Sequence, residues 1–127
     1  MKITNEIHEF PCGIYPRRLW VAVNASSSFL EEIFDEKFED IDSTTAAYVM
    51  AVHKKTPEKL GGVLVRFGSR KDMSVSNMAH EATHVAIEIF DYVDGRISYD
   101  NQEPFAYLVG WVTEMMNMVK TKNYDKD

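Results

Sequence analysis

The stretch that decides the fold is Ser74–Tyr92, which reads SVSNMAHEATHVAIEIFDY. Apolar residues recur in and just after it at steps of three and four, a period that predicts a helix packed along one face. These residues are Ala79, Ala82, Ala86, Ile89 and Val93. His80 and His84 lie one turn apart, away from the apolar face, with Cβ atoms about 5–6 Å from each other. Two imidazoles at this spacing can bind one metal ion, and Glu81 lies about 60° around the helix from His84.

A second helix is predicted from Gln102 to Lys120, after a connector in which Asp94 and Gly95 end the first helix. Its apolar residues also recur at helical steps: Phe105, Leu108, Val112, Met115 and Val119. The connector can extend to roughly 30 Å, so the second helix can return antiparallel to the first. Glu103, in its first turn, could then lie beside His84.

The combined pattern is HEATH, eighteen intervening residues and then Glu103 in an Asn-Gln-Glu-Pro-Phe-Ala segment. It resembles the gluzincin metallopeptidases, particularly those of the aminopeptidase type, over about Asn77 to Glu114. Their signature is HEXXH-x18-E, with the third ligand in an Asn-Glu-x-Phe-Ala-like segment. The resemblance implies a minimal zincin-like core, with His80, His84 and Glu103 as Zn²⁺ ligands. It also implies that Glu81 is the catalytic base.

The chain departs from the gluzincin pattern in two respects. Thermolysin-like gluzincins place an Asp four residues after the ligand Glu to orient a ligand His, and this position is Tyr107 here. Asp91, Asp94 or Asp100 could take that role by hydrogen-bonding to a ligand imidazole. Gluzincins also have a second domain that forms the far wall of the cleft. In length and layout the chain more closely resembles short HExxH proteins encoded by phages and prophages.

Length and composition are typical of one globular domain, residues 1–127. The net charge of −6 argues against a nucleic-acid groove, which needs a basic field. No apolar run approaches the length of a membrane span, and the N-terminus lacks a signal-peptide core. A single cysteine, Cys12, fits a reducing compartment. We therefore expect a cytoplasmic protein with no nucleic-acid or membrane partner.

Three strands are predicted ahead of the two long helices: Arg18–Val23, Thr45–His53 and Val63–Phe67. Between the first two, Ser28 and Glu31 form a capping box that predicts a helix with apolar positions Leu30, Ile33, Phe34 and Phe38. The fold class is therefore α+β, with helices packed on a sheet of three or four strands. We expect Val63–Phe67 to border the cleft with one edge unpaired, as a place for an extended peptide to bind.

The motif by itself predicts a zinc hydrolase, since two His and one carboxylate leave a fourth zinc position open for water. Glu81 would accept the proton of that water during attack on a peptide carbonyl. Further donors to the oxyanion could come from Tyr92, Tyr99, Tyr107 or His53. We therefore expect the substrate to be a peptide or a protein. The alternatives are a metal-binding protein without turnover, an accessory protein that acts through an interface, and a helix that merely carries two histidines.

Overall fold

The computed structural model describes residues 2–42, 44–58 and 60–122. The strands and helices follow in the order β1 (Glu6–Pro11), β2 (Arg18–Val23), α1 (Ser27–Ile33), β3 (Ala47–His53), β4 (Gly61–Phe67), α2 (Val75–Tyr92) and α3 (Glu103–Thr121). The strands form one sheet in the order β1-β2-β4-β3 among the described residues. β2 and β4 are parallel, and the two outer strands pair antiparallel to their neighbours. The predicted α+β class is confirmed.

The position of β4 overturns the expectation that Val63–Phe67 is an edge. β4 pairs with β2 on one side and with β3 on the other, so it is central. The physical reason is its composition: every residue from Gly62 to Phe67 is buried, and a strand covered on both faces is stable only inside a sheet. Among the described residues β3 forms the free edge on this side, and its Ala51 and His53 are exposed.

The two faces of the sheet have separate cores. On β2, Leu19, Val21 and Val23 pack with the buried residues of α2 and α3. Trp20 and Ala22, which point to the opposite face, pack with α1. Because side chains alternate along a strand, β2 belongs to both cores, and the layers are α1, sheet, and the α2–α3 pair.

The first helix starts and ends earlier than predicted. Its N-cap is Ser26, whose hydroxyl accepts a hydrogen bond from the Phe29 amide at 3.1 Å, so the capping box at Ser28 is wrong. The helix stops at Ile33 because Phe34 forms an antiparallel bridge with Lys54 beyond the end of β3. Phe34 and Phe38 therefore lie outside the helix, although both are buried.

α2 and α3 pack antiparallel. Arg70, just before α2, donates hydrogen bonds to the carbonyls of Val119 and Lys120 at the end of α3. At the other end, the rings of Phe90 and Phe105 lie 5.4 Å apart. The two helix predictions are confirmed to within one or two residues. Of the residues predicted for the apolar face of α2, Ala79 and Val93 are exposed and the other three are buried.

Candidate metal centre

His80 and His84 form a close pair on the solvent face of α2. Both side chains are exposed, and their Nε2 atoms lie 3.3 Å apart. The rings meet edge to face, with centroids 4.8 Å apart and an interplanar angle of 75°. The core face of α2, with Ala82 and Ile89 at its centre, lies on the opposite side of the helix. Packing of this core face thus holds the helix in place while both imidazoles point outward.

The donor atoms of this pair fit a tetrahedral metal. Zinc–nitrogen bonds of about 2.0–2.1 Å at tetrahedral angles place two ligand nitrogens roughly 3.3–3.4 Å apart. The Nε2–Nε2 distance of 3.3 Å agrees with this value. Within the described residues neither ring has another hydrogen-bond partner that would have to be given up. The two histidines therefore fit zinc as a bidentate pair.

Glu81 is brought close to the pair but is much less exposed than either histidine, at 8% of its surface. It lies on the flank of α2 that faces away from α3, because Phe90, which contacts α3, is on the opposite flank. In the described residues the fully enclosed polar side-chain atoms without a partner belong to Arg17, Thr56 and Arg66. The carboxylate of Glu81, which has no hydrogen-bond partner in that part of the chain, is thus not fully enclosed.

Glu103 does not join the histidine pair in this structure. Within residues 2–42, 44–58 and 60–122, no group of three or more His, Cys, Asp or Glu side chains is arranged to hold a metal ion. The cause is the register of the two helices. Phe105 packs at the level of Phe90, which is six residues after His84, and Glu103 lies two residues beyond Phe105 in the same direction, so it is roughly 12 Å further along the axis than His84. Its side chain is exposed at the start of α3.

The other residues considered for the site lie elsewhere. Among the described residues, none of Asp91, Asp94 and Asp100 hydrogen-bonds to His80 or His84, so the expected orienting carboxylate is not in place. Two of the proposed oxyanion donors have other contacts: the Arg17 guanidinium stacks over Tyr92, and His53 Nδ1 lies 2.8 Å from Glu36.

Tyr99 and Tyr107, the remaining candidates, are 96% and 75% exposed. Their positions beside the start of α3 place them near Glu103 rather than near the histidines. The HExxH motif could not predict where Tyr99 and Tyr107 lie relative to the histidines, because packing between α2 and α3 decides the register of the two helices.

No helix in the described part of the chain has both the length and the apolar character that crossing a bilayer requires. The chain matches no protein-family model. Searches of curated proteins and of solved structures also gave no match.

Proposed function

We propose that this protein is a zinc-dependent peptidase in which His80 and His84 bind the metal and Glu81 is the general base. The observation that carries the proposal is the 3.3 Å distance between the two Nε2 atoms within an H-E-x-x-H sequence. Two nitrogens bound to one tetrahedral zinc lie at about this separation, and the hydrogen bond between the two imidazoles already holds the pair at it. Zinc bound there supplies Lewis-acid activation of a water molecule and of a peptide carbonyl.

Glu81 is suited to accept a proton. Its carboxylate has no internal hydrogen bond in the described residues, so its lone pairs are available to an incoming water molecule. It is also largely shielded from bulk solvent, at 8% exposure, while the histidines beside it are open. In the proposed site, the base would therefore lie between the histidine face of α2 and the protein interior.

Glu103 is proposed as the third ligand on the resemblance to gluzincins. For its carboxylate to reach the histidine pair, the first turn of α3 has to move toward His84. That turn is weakly held: Gln102 makes no side-chain cap, and Glu103, Pro104 and Ala106 are exposed. Metal binding could therefore draw the turn in, at the cost of the contact between Phe90 and Phe105.

The free edge of β3 is the proposed site for an extended peptide. α2 packs against β3 and β4, and Glu81 lies on the flank of α2 that faces away from α3. Strand addition would use the outward main-chain groups of residues 47–52, because the amide of His53 already donates to Glu36 and its carbonyl accepts from the Asp35 amide. This assigns to β3 the role that the sequence pattern suggested for β4.

The experiment is a comparison of wild type with Glu81→Gln after zinc loading. Both proteins should bind equal zinc, since Glu81 is not a ligand. Only the wild type should cleave members of a quenched fluorescent peptide library, and a chelator should abolish that cleavage. Equal cleavage by both proteins, or zinc binding with no cleavage of any peptide by the wild type, would sink the peptidase proposal.

A metal-binding or accessory protein without turnover is the second candidate. It is favoured by the open position of the pair: both histidines are exposed, and a site that does not exclude water stabilises a transition state poorly. Zinc binding without cleavage would select this candidate.

A further inference from the structure

Arg17, in the turn between β1 and β2, has no acidic partner among the residues that the structure describes. No carboxylate of the described residues lies within 4.0 Å of its guanidinium, although the chain as a whole carries 20 Asp and Glu residues. Its neighbour Arg18 does have one, Glu9, at 3.3 Å. Glu9 also accepts hydrogen bonds from Trp20 and Lys54, so it is fully engaged away from Arg17.

The guanidinium of Arg17 is held by two contacts. Its central carbon lies 4.1 Å from the centroid of the Tyr92 ring, and Nη2 donates to the Gly62 carbonyl at 3.2 Å. Nε is fully enclosed and has no partner in the described part of the chain. Nη1 has no acceptor in the described residues either, but it is not enclosed. The Nη1 edge of the Arg17 guanidinium therefore remains open to a ligand.

Gly61 makes the room for this edge. A Cβ atom at position 61 would lie 2.6 Å from Nη1 of Arg17, closer than any real contact. The guanidinium can lie over the start of β4 only because position 61 carries no side chain. The position of the guanidinium thus depends on two residues that are far apart in the sequence, Arg17 and Gly61.

A cavity of about 330 Å³ opens at this edge. It is lined by both arginines, by Cys12, Gly13 and Tyr15 of the turn, and by Gly61. None of the described residues that line it is acidic. The contrast with Arg66 is informative, because both Nη atoms of that buried arginine are used by carbonyl and hydroxyl groups of the protein. Arg66 is a structural cation, whereas Arg17 has donors to spare.

We propose that this cavity binds a small oxyanion, the carboxylate or phosphate group of a small molecule, at the open edge of Arg17. A guanidinium donates two parallel hydrogen bonds to such a group, and they are strong because both partners are charged. Stacking on Tyr92 restricts the guanidinium in advance, which lowers the cost of binding. The site is separate from the histidine pair and does not depend on metal.

The test is an NMR titration of amide and Arg side-chain signals with sodium phosphate and with sodium acetate, at ionic strength held constant with sodium chloride. Wild type should show saturable shifts at Gly13 and Gly61 with at least one of the two oxyanions. Arg17→Met should weaken binding by at least about tenfold. The matched control is Arg96→Met, which removes an exposed arginine of the α2–α3 connector and should bind as wild type does.

A second variant guards against loss of folding in Arg17→Met. Gly61→Ala keeps every charge but moves the guanidinium, so it should weaken oxyanion binding while zinc binding to the histidines is retained. Saturation by phosphate alone identifies a phosphate site, and saturation by acetate a carboxylate site; either supports the proposal. Shifts that do not saturate, or that are the same in Arg17→Met as in wild type, overturn it.

Discussion

The ring of Phe90 on α2 and the ring of Phe105 on α3 lie 5.4 Å apart and nearly perpendicular, at 77°. This contact fixes the register of the two antiparallel helices. It also keeps Glu103 toward the end of α2, away from His84. The assembly of a three-ligand site therefore depends on whether zinc can shift the first turn of α3.

Removing either histidine should abolish zinc binding. We expect about one zinc per chain in wild type after stripping and reloading, and none in His80→Ala or His84→Ala, because one imidazole alone is a weak ligand. Elemental analysis of the dialysed protein measures this. His53→Ala is the matched control, since His53 is exposed and pairs with Glu36 on another part of the surface. Equal zinc in wild type and the two helix variants would show that the pair is not a site.

Glu103→Gln should weaken zinc affinity by about tenfold or more, equivalent to about 1.4 kcal/mol, because a carboxylate ligand loses its charge. Competition with a chromophoric chelator gives the dissociation constant. Glu32→Gln is the control, as Glu32 is exposed on α1 across the sheet from α2. Unchanged affinity in Glu103→Gln would leave the metal with two protein ligands and argue against the gluzincin arrangement.

Generic proteolysis should be slow. The histidine pair lies on an open helix face, where water competes with every electrostatic contact to the substrate. We expect zinc-loaded wild type to degrade casein at or near the rate of Glu81→Gln, with cleavage confined to few peptide sequences. Time courses of casein breakdown with and without chelator check this. Rapid, chelator-sensitive degradation that requires Glu81 would contradict the expectation.

Arg66→Met should destabilise the fold by about 2–4 kcal/mol, because it leaves the carbonyls of Glu39 and Ala25 without their donor. Arg66 is 3% exposed and links the segment after α1 to the sheet. Urea unfolding followed by circular dichroism measures the loss. Tyr48→Phe, which removes only one hydrogen bond to Arg66, should cost about 1 kcal/mol. Equal midpoints for wild type and Arg66→Met would show that the buried network adds nothing to stability.

Stability should fall as the pH rises from about 9 to 11, in part through Cys12. Burial raises the pKa of the Cys12 thiol from 9.0 to about 11, with Arg17 and Arg18 acting in the opposite direction. In that interval the unfolded chain has lost the thiol proton that the folded chain retains, so the unfolded state gains relative stability. Urea midpoints across this range should fall less steeply in Cys12→Ala. Identical pH profiles would mean that Cys12 does not contribute.

Local pattern was sufficient to predict most of the elements. We could predict α2 and α3 from the spacing of their apolar residues, and β2, β3 and β4 from their apolar runs. In each case the residues that are buried are apolar in the sequence. His80 and His84 are brought together for the same reason: a four-residue step on a helix fixes their distance wherever the helix packs. β1 was not identified, because Glu6, His8 and Glu9 give it a polar sequence.

Relations between elements were decided only by tertiary structure. Val63–Phe67 became central because β3 folds back and pairs along the side of β4 that β2 leaves open. Glu103 was placed by the packing of Phe105 on Phe90, which depends on the length and path of the connector. The open edge of Arg17 required three segments to meet: the β1–β2 turn, the start of β4 and the end of α2. Sequence spacing constrains neighbours along one helix, whereas contacts between distant segments depend on how the whole core is packed.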